Sequence, residues 1–268
     1  MGQPVSQQLP IAPSQSPRAS VFKVLGVHVN AVQIPDVIAQ MENWIAERTG
    51  CHFIAVTGMH GVTEAQHDPG FKQILNSADL VVPDGMPLVW LGRRQGHRLQ
   101  RRVYGPELMQ TFCLATGPKY RHFFYGGIPG VATLVAEVLQ NKCGTKVVGN
   151  YSPSFRPLSN EEDEEIVSLI NAAEPNILWI GLSTPKQERW MYAHRPKLRV
   201  PVVVGVGAAF DLNSGRIRQA PTWMREHGLE WSYRLLREPR RLWRRYLVYG
   251  SEFLCKVALE LLSLRSFD

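Results

Sequence analysis

Residues 79–85 read Asp-Leu-Val-Val-Pro-Asp-Gly, an apolar run that turns polar at Pro83, Asp84 and Gly85. A run this short, closed by turn residues, has the signature of a strand buried on both faces. The pattern recurs on either side of it: His52 to Thr57, Arg121 to Tyr125, Lys146 to Val148, Ile177 to Ile180 and Val200 to Val204 all read as short strands. Helical spacing fills most of the intervals, as in Ile34 to Arg48, and Phe22 to Val29 reads as a strand or a hairpin. Such alternation predicts an α/β domain with a Rossmann-like, mostly parallel sheet flanked by helices, whose ligands sit at the strands' C-terminal edge. Thr57, Asp84, Gly126, Thr184 and Gly207 would all approach that edge.

At 268 residues the chain can bury one core and carry a small appendage. Residues 1–20 are rich in Gln, Pro and Ser, the composition of a solvated tail. The α/β core is expected over residues 21–215. A helical appendage is expected over residues 216–268, because strand-like alternation stops after Asp211 and Trp223 to about Leu262 runs as successive helical patterns. Ser159 followed by Glu162 reads as a capping box, so the acidic run Glu161 to Glu165 is read as a helix start rather than a metal site. Cys51, Cys113, Cys143 and Cys255 lie far apart without ligand spacing, so neither a zinc site nor a disulfide framework is expected. No signal-peptide pattern and no stretch approaching the roughly 20 apolar residues of a membrane span is present, and a cytoplasmic location is expected.

A carboxylate at a strand's C-terminal edge can remove a proton and a nearby arginine can hold a phosphate, which singles out Asp84 and Arg102. Each also has a plainer reading, Asp84 as the turn former of Pro-Asp-Gly and Arg102 as a surface arginine beside Arg101. Gly126-Gly127-Ile128-Pro129-Gly130 follows a strand and opens a helix, so its amides can approach a phosphate or simply make a tight turn. It has neither the GxGxxG nor the GxxxxGK[ST] pattern, so no case for hydride transfer or NTP hydrolysis follows.

In the same order along the chain, five blocks resemble the bacterial WecG/TagA/CpsF family of glycosyltransferases, over about Val21 to Phe253. They are Asp79-Leu-Val-Val-Pro-Asp-Gly85, Arg102-Val-Tyr-Gly-Pro-Glu107, Phe123-Phe-Tyr-Gly-Gly-Ile-Pro-Gly130, Gly181-Leu-Ser-Thr-Pro-Lys-Gln-Glu188 and Gly205-Val-Gly-Ala-Ala-Phe-Asp211. The resemblance implies an inverting enzyme of cell-surface polysaccharide synthesis. It would move N-acetylmannosamine, its uronate or glucose from a UDP-sugar to a polyprenyl-diphosphate-linked sugar. It further implies Asp84 as general base, Arg102 as stabiliser of the diphosphate, Thr57 and Gln187 as active-site polar positions, and Asp211 as a nucleotide-binding position. The family commonly shows Thr-x-Asn at the first strand end, whereas this chain reads Thr57-Gly58-Met59-His60. Met cannot reproduce an amide's donor and acceptor, which leaves His60 as a substrate-binding candidate in its place. No Asp-x-Asp triplet occurs, so metal independence is expected; no cofactor is expected either. The alternative reading is a noncatalytic nucleotide-sugar or lipid-diphosphate binding protein.

The formal charge of +7 is concentrated late in the chain, where Arg225, Arg234, Arg237, Arg240, Arg241, Arg244 and Arg245 face only Glu226, Glu230 and Glu238. If Pro239 opens a helix, Leu242, Tyr246 and Tyr249 form an apolar stripe with Arg240, Arg241, Arg244 and Arg245 on the adjoining surface. With Trp231 and Trp243, this reads as a basic amphipathic surface. It is expected to sit peripherally on the anionic inner face of the cell membrane, with Arg240, Arg241 and Arg244 meeting a lipid diphosphate. No recognised nucleic-acid-binding fold accompanies the charge, and no nucleic acid is expected as a partner. Apolar residues near Leu229 to Leu236 suit either a homo-oligomer contact or the membrane, and periodicity does not choose.

Overall fold

The structure is a computed structural model that describes residues 20–154, 156 and 158–267. The tail expected over residues 1–20 lies outside the described residues apart from Ser20. Two strands, β1 (Val21–Val24) and β2 (Val27–Asn30), pair as an antiparallel hairpin. Six more form the main sheet: β3 (His52–Thr57), β4 (Leu80–Pro83), β5 (Arg121–Gly126), β6 (Lys146–Tyr151), β7 (Ile177–Gly181) and β8 (Val202–Gly205). Their order is β4-β3-β8-β7-β5-β6, and every neighbouring pair is parallel. All six C-terminal ends therefore share one edge, as the strand pattern predicts.

Side chains alternate across the strands, so both faces are buried. Ile54, Val56, Ile177 and Trp179 face one side, against Met41 of helix Ile34–Glu47, Phe112 of helix Gly105–Thr116 and Val135 of helix Val131–Cys143. Phe53, Leu178 and Ile180 face the other, against Ile166 and Ile170 of helix Asn160–Ala172 and Met191 of helix Lys186–His194. Burying each such side chain contributes about 1.5–3 kcal/mol. The expected capping box forms: Ser159 Oγ accepts from the Glu162 amide at 3.3 Å, and Glu162 Oε2 accepts from the Ser159 amide at 2.9 Å. All four cysteines are free.

Beyond Asp211 come helices Thr222–Glu226, Glu230–Arg237 and Pro239–Trp243, a π-helical turn at Arg244–Val248, and helix Tyr249–Leu261. Pro239 does open a helix, where its missing N–H deprives no partner. The segment folds back over the sheet. Phe253 and Val257 are buried with Ala55, Val81, Val62 of helix Met59–His67 and the hairpin. Lys72 Nζ donates to the Phe267 carbonyl at 2.6 Å. Among the described residues no helix is long and apolar enough to cross a membrane.

Candidate active site

Two backbone hydrogen bonds assemble the site. The Asp84 N–H donates to the Thr57 carbonyl at 2.7 Å, fixing Asp84 beside the end of β3, and the Val103 N–H donates to the Pro83 carbonyl at 2.8 Å, laying Arg102 alongside. Glycine is required on both flanks of Asp84. A Cβ on Gly58 would lie 2.3 Å from the Asp84 carbonyl oxygen, and Gly85 turns the chain at φ 126° into helix Met86–Arg94. Pro-Asp-Gly is thus a turn, and its aspartate lines a cavity of about 440 Å³.

The core contributes Met59, His60, Asp84, Arg102 and Tyr104 to this cavity. The returning C-terminal segment contributes Glu230, Arg234 and Arg245, with Trp231, Leu247 and Leu254 on its apolar side. Burial pushes the Asp84 carboxyl up to about 6; Arg102 opposes the rise, Glu230 adds to it, and Arg245 and Arg234 draw it down. The result is a carboxylate that is ionised at neutral pH yet much more basic than a surface aspartate. Arg102 Nη2 forms an ion pair with Glu230 Oε2, and its guanidinium lies 4.1 Å over the Tyr104 ring. The Tyr104 hydroxyl donates to the other Glu230 oxygen at 2.5 Å, so buried Tyr104 and Glu230 and half-buried Arg102 hold one another. Burial, with help from the Arg245 charge, holds His60 down at about 4 and keeps it neutral. Its ring stands edge-on to Tyr249, and Nε2 lies 3.5 Å from Glu64.

A second polar group lies alongside, at the ends of β3, β7 and β8. Gln187 Oε1 accepts from the Gly207 N–H at 3.0 Å while its Nε2 donates to Glu188 Oε1 at 3.0 Å, and that oxygen also accepts from Thr184 Oγ1 at 2.8 Å. Thr57 is next to them: a Cβ on Gly61 would lie 2.8 Å from Thr57 Oγ1 and 3.6 Å from Thr184 Cγ2. Thr57 Oγ1 and Glu188 Oε2 are buried without a partner among the described residues. Burial raises the Glu188 carboxyl against the hydrogen bonds from Gln187 and Thr184. Arg245 draws down both Glu188 and Asp84, which links the two groups.

The remaining residues singled out from the sequence lie elsewhere. The Gly127 N–H donates to the Gly181 carbonyl at 3.0 Å and the Gly126 carbonyl accepts from Ser152 Oγ at 3.0 Å, so these two groups are engaged within the strand-to-helix turn. Asp211 pairs with Arg216 at 2.9 Å. Arg240, Arg241 and Arg244 are exposed outside the cavity: Arg241 pairs with Glu238 at 2.8 Å and Arg244 lies 5.4 Å over the Trp243 ring. The C-terminal arginines that line it are Arg234 and Arg245. At about 100° per residue from Pro239, Arg245 falls between the outer face of Arg240, Arg241 and Arg244 and the stripe of Leu242, Tyr246 and Tyr249, and it is half-buried there. Glu230 and Arg234 are one helical turn apart on one face, a spacing that places both on the cavity side. A further cavity of about 590 Å³ shares Met86 and Arg102 with the first and adds Gln100, Arg101, Glu107, Thr222 and Arg225.

A basic carboxylate and three arginines converging at the C-terminal edge of a parallel sheet suit group transfer between phosphate-bearing substrates. Residues 22–266 match the glycosyl transferase WecG/TagA/CpsF family, and the chain belongs to that family of glycosyltransferases. The N-acetylglucosaminyldiphosphoundecaprenol N-acetyl-beta-D-mannosaminyltransferase of Bacillus spizizenii is 30% identical over 217 residues, covering 80% of this chain and 82% of that protein. Its namesake in Bacillus subtilis is 30% identical over 182 residues, 67% of this chain and 69% of that one. The Staphylococcus aureus enzyme of the same name is 25% identical over 222 residues, 82% of this chain and 86% of its own.

Proposed function

We propose that the protein is an inverting transferase that moves a sugar from a UDP-sugar to a polyprenyl-diphosphate-linked sugar in cell-surface polysaccharide synthesis. The relatives' names favour N-acetylmannosamine as the sugar, ahead of its uronate or glucose, and N-acetylglucosaminyl-diphosphoundecaprenol as the acceptor. The observation that carries the reading is Asp84, a carboxylate raised to about 6 that shares a cavity with Arg102, Arg234 and Arg245. The acceptor hydroxyl attacks the anomeric carbon and gives its proton to Asp84. The bond from that carbon to the diphosphate oxygen breaks, and its electron pair leaves with UDP. Guanidinium groups stabilise the departing diphosphate more than the bound donor, which lowers the barrier. They take the role a divalent ion fills in other sugar transferases, so EDTA is expected to leave the rate unchanged.

A panel of UDP-sugars assayed for UDP release with short-chain prenyl-diphosphate acceptors tests this directly. UDP-N-acetylmannosamine is expected to turn over, and silence across the whole panel would refute the reading. Because the base acts only when ionised, kcat/KM is expected to rise through about pH 6 to a plateau. A rise centred near pH 4, where an unperturbed aspartate titrates, would remove Asp84 from that role.

The same reading assigns the outer face of the C-terminal segment to the anionic inner face of the cell membrane. Arg240, Arg241 and Arg244 are exposed there beside Trp243, Leu247 and Leu254, and the last two also line the cavity. Each arginine adds on the order of 1 kcal/mol of attraction, so each replacement by Ala is expected to weaken binding to phosphatidylglycerol vesicles roughly fivefold. Binding unaltered by the triple replacement would argue against this face.

A further inference from the structure

The Arg102–Glu230 pair joins the core to the C-terminal segment at the centre of the cavity. Glu230 is 5% exposed, and it is held by two neighbouring core side chains, Arg102 and Tyr104. Among the described residues Arg102 hydrogen-bonds through Nη2 alone, and Glu230 is its only hydrogen-bonded side chain. One edge of the guanidinium is therefore occupied, its face lies on the Tyr104 ring, and the remaining N–H groups stay available in the two cavities that Arg102 lines.

We propose that Glu230 is a positioning residue for the transfer step: it holds one edge of Arg102 so that the other meets a substrate diphosphate, and it keeps Arg102 from closing onto Asp84. The inference rests on the glycosyl-transfer reading above. Asp84 lies under the field of Arg102 from the core and of Glu230, Arg234 and Arg245 from the C-terminal segment, with Tyr104 and His60 also facing the cavity. Of these, Glu230 is the one anionic group. Removing its charge leaves the arginines unopposed and makes Asp84 a weaker base.

The experiment is a carbon-detected NMR titration of the Asp84 carboxyl, assigned by its loss in Asp84→Asn, in wild type and Glu230→Gln. Asp84 is expected to titrate about 1 pH unit lower in Glu230→Gln. Glu230→Asp keeps the charge but draws it back by one methylene, and is expected to shift the same way by less. It serves as the reporter should Glu230→Gln fail to fold. The acid limb of kcat/KM is expected to move with the titration, and kcat to fall roughly tenfold with a smaller change in donor KM. Asp84 titrating as in wild type in the folded variants would overturn the proposal. The titration needs no turnover, so a failure of the positioning role is distinguishable from a failure of the glycosyl-transfer reading, which would show as wild type releasing no UDP from any donor.

Discussion

Replacing Asp84 with Asn is expected to lower UDP release by about 10²- to 10⁴-fold while UDP binding stays within a few-fold of wild type. Asn keeps the shape of the side chain and the backbone bond to the Thr57 carbonyl, and it removes only the group that accepts the proton. Stability is not expected to suffer. The Asp84 carboxyl is raised from 3.8 to about 6 in the fold, so ionisation is disfavoured in the folded protein relative to the unfolded chain. That penalty is absent below about pH 4 and complete above about pH 6, and at pH 7 the Asn variant is expected to melt at the same or a higher temperature. Calorimetry beside the UDP-release assay checks both halves, and full transfer by the Asn variant would remove Asp84 as the base.

Arg102→Met is expected to fail in two separable ways. Loss of a charge that meets the leaving diphosphate should reduce kcat by about 10²- to 10³-fold. Loss of its ion-pair partner leaves the buried Glu230 carboxylate with the Tyr104 hydroxyl but no countercharge bonded to it, which destabilises by about 3 kcal/mol. Adding Glu230→Leu removes the stranded charge, so the double variant is expected to recover most of the stability and none of the activity. Denaturant unfolding and turnover measured on the single and double variants separate the effects. Recovery of transfer in the double variant would reduce Arg102 to a structural role.

The sheet was legible because its strands are short, apolar and bounded by turn residues, and β3 matches the expected His52 to Thr57. Departures have local causes. The expected strand from Val200 begins instead at Val202, because Pro201 has no N–H to give the ladder. Asp79, expected as the first residue of its strand, precedes β4 and turns its carboxylate to the Phe53 amide at 2.9 Å and to Arg195 at 3.0 Å. Within the site, Asp84 and Arg102 were visible because a single return of the chain at Val103 brings them together. Glu230 was not visible in its role: it meets Arg102 across 128 residues and reads in sequence as one of three acids amid arginines. Arg245 was expected on the surface adjoining the apolar stripe, and the fold turns that edge toward the cavity that holds Asp84, a long-range contact that helical spacing alone does not specify.

The most direct measurement is a crystal structure of the Asp84→Asn variant with a UDP-sugar and a short prenyl-diphosphate acceptor bound. The expected result is the donor diphosphate on Arg102, and an acceptor hydroxyl within about 2.6–3.2 Å of the residue 84 side chain. A nucleotide seated on the Gly126–Gly127 turn with no acceptor path to residue 84 would contradict it.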